Sequence, residues 1–100
     1  MAKIPLRLQK KKIENFCKKY HIVSLALFGS VLTSHFSEKS DVDVLINFEK
    51  KHIPHLLGIV QMESELTDII GRPVDLKTLN DLSPYFREDV LARAKLVYGK

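Results

Sequence analysis

The sequence predicts an α/β protein of the α+β kind, a small mixed β-sheet flanked by helices, and three observations lead there. Segments with apolar residues at helical spacing alternate with shorter apolar runs of strand length. One of those runs, Ile22 to Phe28, is almost continuously apolar and stops at Gly29. A third signal is punctuation: Pro54 and Gly71 bracket a long apolar-periodic stretch, and Ser83-Pro84 opens another. The 100 residues are enough for one domain, expected to span 1–100.

From about Leu8 to Tyr20, Ile13, Phe16, Cys17 and Tyr20 fall at i, i+3, i+4 and i+7 and form the apolar stripe of a first helix. Lys10, Lys11, Lys12, Lys18 and Lys19 take its other face, and without interleaved aromatics they read as a solvated surface. Residues 22–28 predict a central strand covered on both sides. Ser30 to about Phe36 predicts a short helix or turn, followed by a polar loop. A second strand is expected from Asp41 to Phe48, with Asp41 and Asp43 on one face and Val42, Val44, Ile46 and Phe48 on the other.

The next helix is expected to begin at Pro54 and end before Gly71, burying Leu56, Leu57, Val60, Leu66, Ile69 and Ile70 and turning Glu63, Glu65 and Asp68 outward. Arg72 to Thr78 alternates and predicts a third strand with Asp75 and Lys77 on one face. Ser83 as N-cap and Pro84 as first helical residue predict a helix to about Ala94, its inner side Phe86, Val90, Leu91 and Ala94. Leu96 to Tyr98 can add a final strand.

Composition narrows the function classes. The chain is 45% hydrophobic with no run of membrane-spanning length, and its basic N-terminal residues lack the apolar stretch of a signal peptide, so a cytoplasmic location is expected. A net charge of +4 permits an anionic partner without requiring one. The single cysteine, Cys17, has no disulfide partner within the chain and reads as a core residue. His21, His52 and His55 fall at expected element ends and read as surface residues; His35 lies in the loop that precedes the acids.

The chemistry concentrates between Ala26 and Phe48. A strand that stops at Gly29-Ser30 and turns can aim backbone N–H groups and a hydroxyl at a phosphate. Two carboxylates side by side on the next strand repel unless a cation sits between them, and a hard divalent ion such as magnesium suits oxygen donors. Asp75, in an otherwise apolar or basic strand, can join them if its strand lies beside the second, and three such acids can hold two magnesium ions bridging a triphosphate and an attacking hydroxyl. Pairing of Asp75 with Lys77 or Arg72 is the plainer alternative.

In order and spacing, the strand, Gly29-Ser30, the gap, Asp41-Val42-Asp43 and the later Asp75 resemble the DNA polymerase beta-like nucleotidyltransferase superfamily. More narrowly, the length and the segment Gly71-Arg72-Pro73-Val74-Asp75-Leu76 resemble the minimal nucleotidyltransferases, often antitoxin partners of HEPN-domain toxins. The resemblance implies that Gly29 and Ser30 bind nucleotide phosphates, that Asp41, Asp43 and Asp75 are catalytic and hold the metals, and that Asp75 helps to activate the acceptor. It further implies transfer of a nucleoside monophosphate, AMP from ATP, to a hydroxyl such as a tyrosine of the toxin. A nucleic-acid acceptor is not implied. Members commonly carry arginines just after Gly-Ser, where this chain has Val31, Leu32, Thr33, Ser34 and His35. An antitoxin that neutralises its toxin by contact alone is the alternative. A phosphohydrolase using Asp-x-Asp as nucleophile fits less well, because that motif would come directly after the first strand.

Overall fold

The computed structural model describes residues 8–34, 36–37 and 39–99. Helix α1 spans Lys10–Lys19 and leads into strand β1, Ile22–Phe28, which ends in a single 3-10 turn, Gly29–Leu32. Strand β2, Val42–Phe48, is followed by a 3-10 turn at Lys50–His52, helix α2 at Leu56–Ile70 and strand β3 at Val74–Lys77. A 3-10 turn at Leu79–Asp81, helix α3 at Pro84–Arg93 and strand β4 at Lys95–Gly99 complete the order. The result is the expected mixed sheet, with strand order β3-β2-β1-β4. β1 runs antiparallel to both β2 and β4, and β2 runs parallel to β3, the two being joined through α2.

The apolar stripe of α1 drives its packing. Ile13, Phe16 and Cys17 are buried together with Leu25 and Leu27 of β1, Val44 and Ile46 of β2, and Met62 and Leu66 of α2. The five lysines of α1 are exposed, as expected. Gly71 ends α2 in the left-handed conformation (φ 80°), its N–H donating to the Thr67 carbonyl at 2.7 Å.

Several expectations are corrected. β1 is central, but its two faces are covered unequally: α1 and α2 cover the face of Leu25 and Leu27, whereas on the other face Ala26 and Leu45 are buried while Ser24 and Asn47 line a cleft of about 650 Å³. Small and polar side chains on that face leave little for a helix to bury. α3 accordingly stands off the sheet, with Phe86 62% and Leu91 54% exposed, so its expected inner side is not buried. Tyr85 is exposed too.

α2 begins two residues after Pro54, because residues 53–55 are not helical, and it reaches the core through Met62, Leu66 and Ile70, with Ile59 partly buried against it. Leu56 and Leu57 are 79% and 78% exposed and Val60 is exposed, against expectation. Glu63 does not point away but accepts the Leu76 N–H at 2.8 Å, while the Thr67 hydroxyl oxygen accepts the Val74 N–H at 3.1 Å. Both bonds satisfy backbone donors on the edge strand β3 and close that edge to another chain. Pro84 is the first residue of α3, but Ser83 makes no side-chain cap bond. His35 lies outside the described residues.

Candidate active site

The strand pairing brings the expected acids to one end of the open sheet face. Asp43 stands opposite Phe28, the last residue of β1, and in register with Asp75 on the neighbouring parallel strand. Asp41 lies just before β2, whose first residue, Val42, donates its N–H to the Pro73 carbonyl at 2.8 Å. That bond ties the entry of β2 to the entry of β3.

Gly29 comes directly after Phe28 with φ of 77°, a conformation that favours glycine. A Cβ placed there would run into the carboxylate of Asp43. The glycine is thus required twice, by its backbone and by the acid that occupies its side-chain space. Ser30 is half-buried, and its carbonyl accepts both the backbone N–H and the hydroxyl of Thr33, each at 2.9 Å. From Gly29 the chain makes one 3-10 turn, so any phosphate contact there would come from individual N–H groups and not from the dipole of a long helix.

Burial pushes the Asp43 carboxyl above its ordinary range, the negative charges of Asp75 and then Asp41 push in the same direction, and Lys77 pulls it back. Three acids therefore share one electrostatic neighbourhood. Their oxygens do not all come within 4.8 Å of one another. Lys77 draws Asp75 aside, its Nζ 3.7 Å from Asp75 Oδ1, so the plainer pairing expected for Asp75 coexists with its place beside Asp43.

Three further residues join the site that sequence reasoning did not assign to it. Arg72 donates from Nη2 to the carbonyls of Ser37 and Ser40, the latter at 2.9 Å, and its guanidinium lies 4.7 Å from the Phe36 ring centre. It thereby holds the loop that delivers Asp41. Arg93 and Lys95 line a cleft of about 1000 Å³ together with Phe28, Gly29 and Thr33. Arg93 is exposed and pairs with Asp89 at 3.1 Å. Asp89 lines the same cleft, so Arg93 enters it as one half of an ion pair, and Lys95 is in register with Leu27 of β1. Proximity to Pro73-Val74-Asp75 was the available signal for Arg72; no local pattern marks Arg93 or Lys95.

A family model described as Polymerase beta, Nucleotidyltransferase matches residues 11–100. The Methanocaldococcus jannaschii protein MJ1217, which carries the provisional name protein adenylyltransferase, is 35% identical over 86 residues, covering 85% of this chain and 83% of its own length. Among solved structures, a crystal structure of a toxin-antitoxin with AMP-PNP matches with a TM-score of 0.74 at 20% identity, over 93% of this chain and 75% of the other. A structure of a tri-AMPylated Shewanella oneidensis HEPN toxin in complex with an MNT antitoxin matches with a TM-score of 0.65 at 19% identity, over 91% and 70%. At these identities the two structures show a shared fold.

Proposed function

The chain belongs to the polymerase beta nucleotidyltransferase family, and from that membership we propose a magnesium-dependent protein adenylyltransferase that moves AMP from ATP to a tyrosine hydroxyl of a HEPN-domain toxin and so acts as its antitoxin. The observation that carries this reading is the register of Asp43 with Asp75 across neighbouring parallel strands, at the mouth where Gly29 makes room for the Asp43 carboxylate. Likeness to a toxin-antitoxin holding AMP-PNP supports ATP, and likeness to an AMPylated HEPN toxin complex supports the acceptor. Residues 1–100 form one minimal nucleotidyltransferase domain in this reading, working in the cytoplasm.

The donor set fits magnesium: three carboxylates on adjoining positions, one of them burdened by burial and by the other two. Asp41, Asp43 and Asp75 would hold it. When bound, magnesium neutralises triphosphate charge and polarises the reacting oxygens. Gly29 leaves the backbone after Phe28 open to phosphate, and the Ser30 hydroxyl adds a donor. The acceptor oxygen bonds to the α-phosphorus as the bond from that phosphorus to its bridging oxygen breaks, pyrophosphate leaves, and Asp75 accepts the acceptor's proton.

Mixing the protein with a HEPN partner and ATP, with intact mass spectrometry and an assay of toxicity as readouts, tests this. We expect adenylate mass on the partner with the wild type. Asp41→Asn, Asp43→Asn and Asp75→Asn should each form the complex and add none, because a protein interface draws on many residues while transfer depends on this site. No mass shift with wild type, together with full neutralisation by all three variants, would establish neutralisation by contact instead.

A further inference from the structure

His21, Glu49 and His52 meet at the opposite ends of β1 and β2 from the aspartates, and the adenylation chemistry does not use them. Seven strand residues separate the two ends, roughly 20 Å at the rise of an extended chain. Backbone hydrogen bonds fix the three relative to one another. The Glu49 N–H donates to the His21 carbonyl at 3.1 Å, just beyond the Ile22–Phe48 pair, and the His52 N–H donates to the Glu49 carbonyl at 2.9 Å. His21 holds φ of 56° at the junction of α1 and β1, the sole non-glycine residue with positive φ among those described.

The side chains converge as well. The two imidazoles stack with centroids 3.7 Å apart and planes 14° from parallel, and His21 Nδ1 lies 3.3 Å from Glu49 Oε2. One ligand atom from each of the three lies within 4.8 Å of the others. Ligands held about 2.0 to 2.2 Å from a tetrahedral centre stand about 3.3 to 3.6 Å apart. The stacked rings aim their nitrogens side by side, so closing the site requires the exposed imidazoles to swing out of parallel until their lone pairs converge.

We propose that His21, Glu49 and His52 bind one borderline divalent transition metal of the zinc class, with water completing the coordination. Two imidazole nitrogens with one carboxylate oxygen suit zinc, whereas magnesium prefers an all-oxygen set. The ion would staple the junction of α1 and β1 to the turn before α2. The site is independent of the adenylylation reading.

The test uses the full chain, stripped with chelator and kept in excess magnesium, titrated with zinc chloride and monitored by equilibrium dialysis and thermal melting. Wild type and Asp43→Asn should each retain one zinc per chain and melt at a higher temperature with it. His52→Ala, Glu49→Gln and His21→Asn, the last chosen because asparagine tolerates positive φ, should each bind at least about tenfold more weakly. Circular dichroism identifies which variants fold, and the comparison is read on those. Absence of bound zinc in the wild type would overturn the proposal. So would wild-type affinity in the folded variants, or loss of zinc from Asp43→Asn.

Discussion

A single side chain decides how close the Gly29 turn and β2 can approach, and that side chain is Asp43. Since a Cβ at position 29 would meet the Asp43 carboxylate, Gly29→Val should do more than block phosphate. It should displace the acid, so ATP binding and magnesium-dependent stabilisation should be lost together, measured by calorimetry and by melts. A folded Gly29→Val protein with wild-type ATP affinity would place the nucleotide elsewhere. Asp43 also carries a pH signature. Its carboxyl is pushed up in the fold, chiefly by burial, so the folded state holds the proton more tightly than the unfolded chain does. Asp43's contribution to stability must then fall as pH rises from the ordinary carboxylate value, about 3.9, through the raised one. Without divalent cation, Asp43→Asn should melt above the wild type at neutral pH, and the difference should vanish below about pH 3.9. Tenfold excess of magnesium over its dissociation constant should return about 1.4 kcal/mol to the wild type and nothing to the variant. Cys17 is quieter: burial pushes its thiol up to about 12, so thiol reagents should modify it no faster than the protein unfolds.

At the scale of elements, α2 separates what neighbouring residues encode from what packing decides. Its end at Gly71 and its buried Leu66 and Ile70 arise from local pattern. In its first turns Ile59 packs against the core, yet Leu56, Leu57 and Val60, which continue the same periodicity, stay exposed among the described residues. Periodicity marks an apolar face; it does not say how far the supporting surface extends. Leu57→Lys should accordingly change stability by no more than about 0.5 kcal/mol in denaturant titrations, where a buried leucine would cost about 2 to 5. The same helix shows the opposite case at Glu63, which reads as a solvated acid but accepts the Leu76 N–H. Glu63→Ala should cost about 1 kcal/mol in the same assay. The strands were easier to read, because alternation assigns each residue to a face. Asp43, Asp75 and Lys77 occur on the shared face that alternation indicated.

Across the whole molecule, one sheet face is core and the other is open to clefts, and this sidedness is what joins residues far apart in the chain. Asp41 and Asp43 were legible because they sit two apart; their approach to Asp75 needed only adjacent parallel strands. Arg93, Lys95 and the meeting of His21 with His52 were not legible, since each depends on how separate elements close on the sheet. Among the described residues no helix is long and apolar enough to cross a membrane. The strand order has a further consequence for how the chain is made. β1, the first strand in sequence, occupies the interior of the sheet, but its second neighbour is β4, the last. During synthesis, β1 can gain β2 early while its opposite edge waits for Lys95–Gly99 to emerge. A ribosome stalled before β4 would therefore display an unpaired, largely apolar strand edge, the feature most prone to recruit another nascent chain.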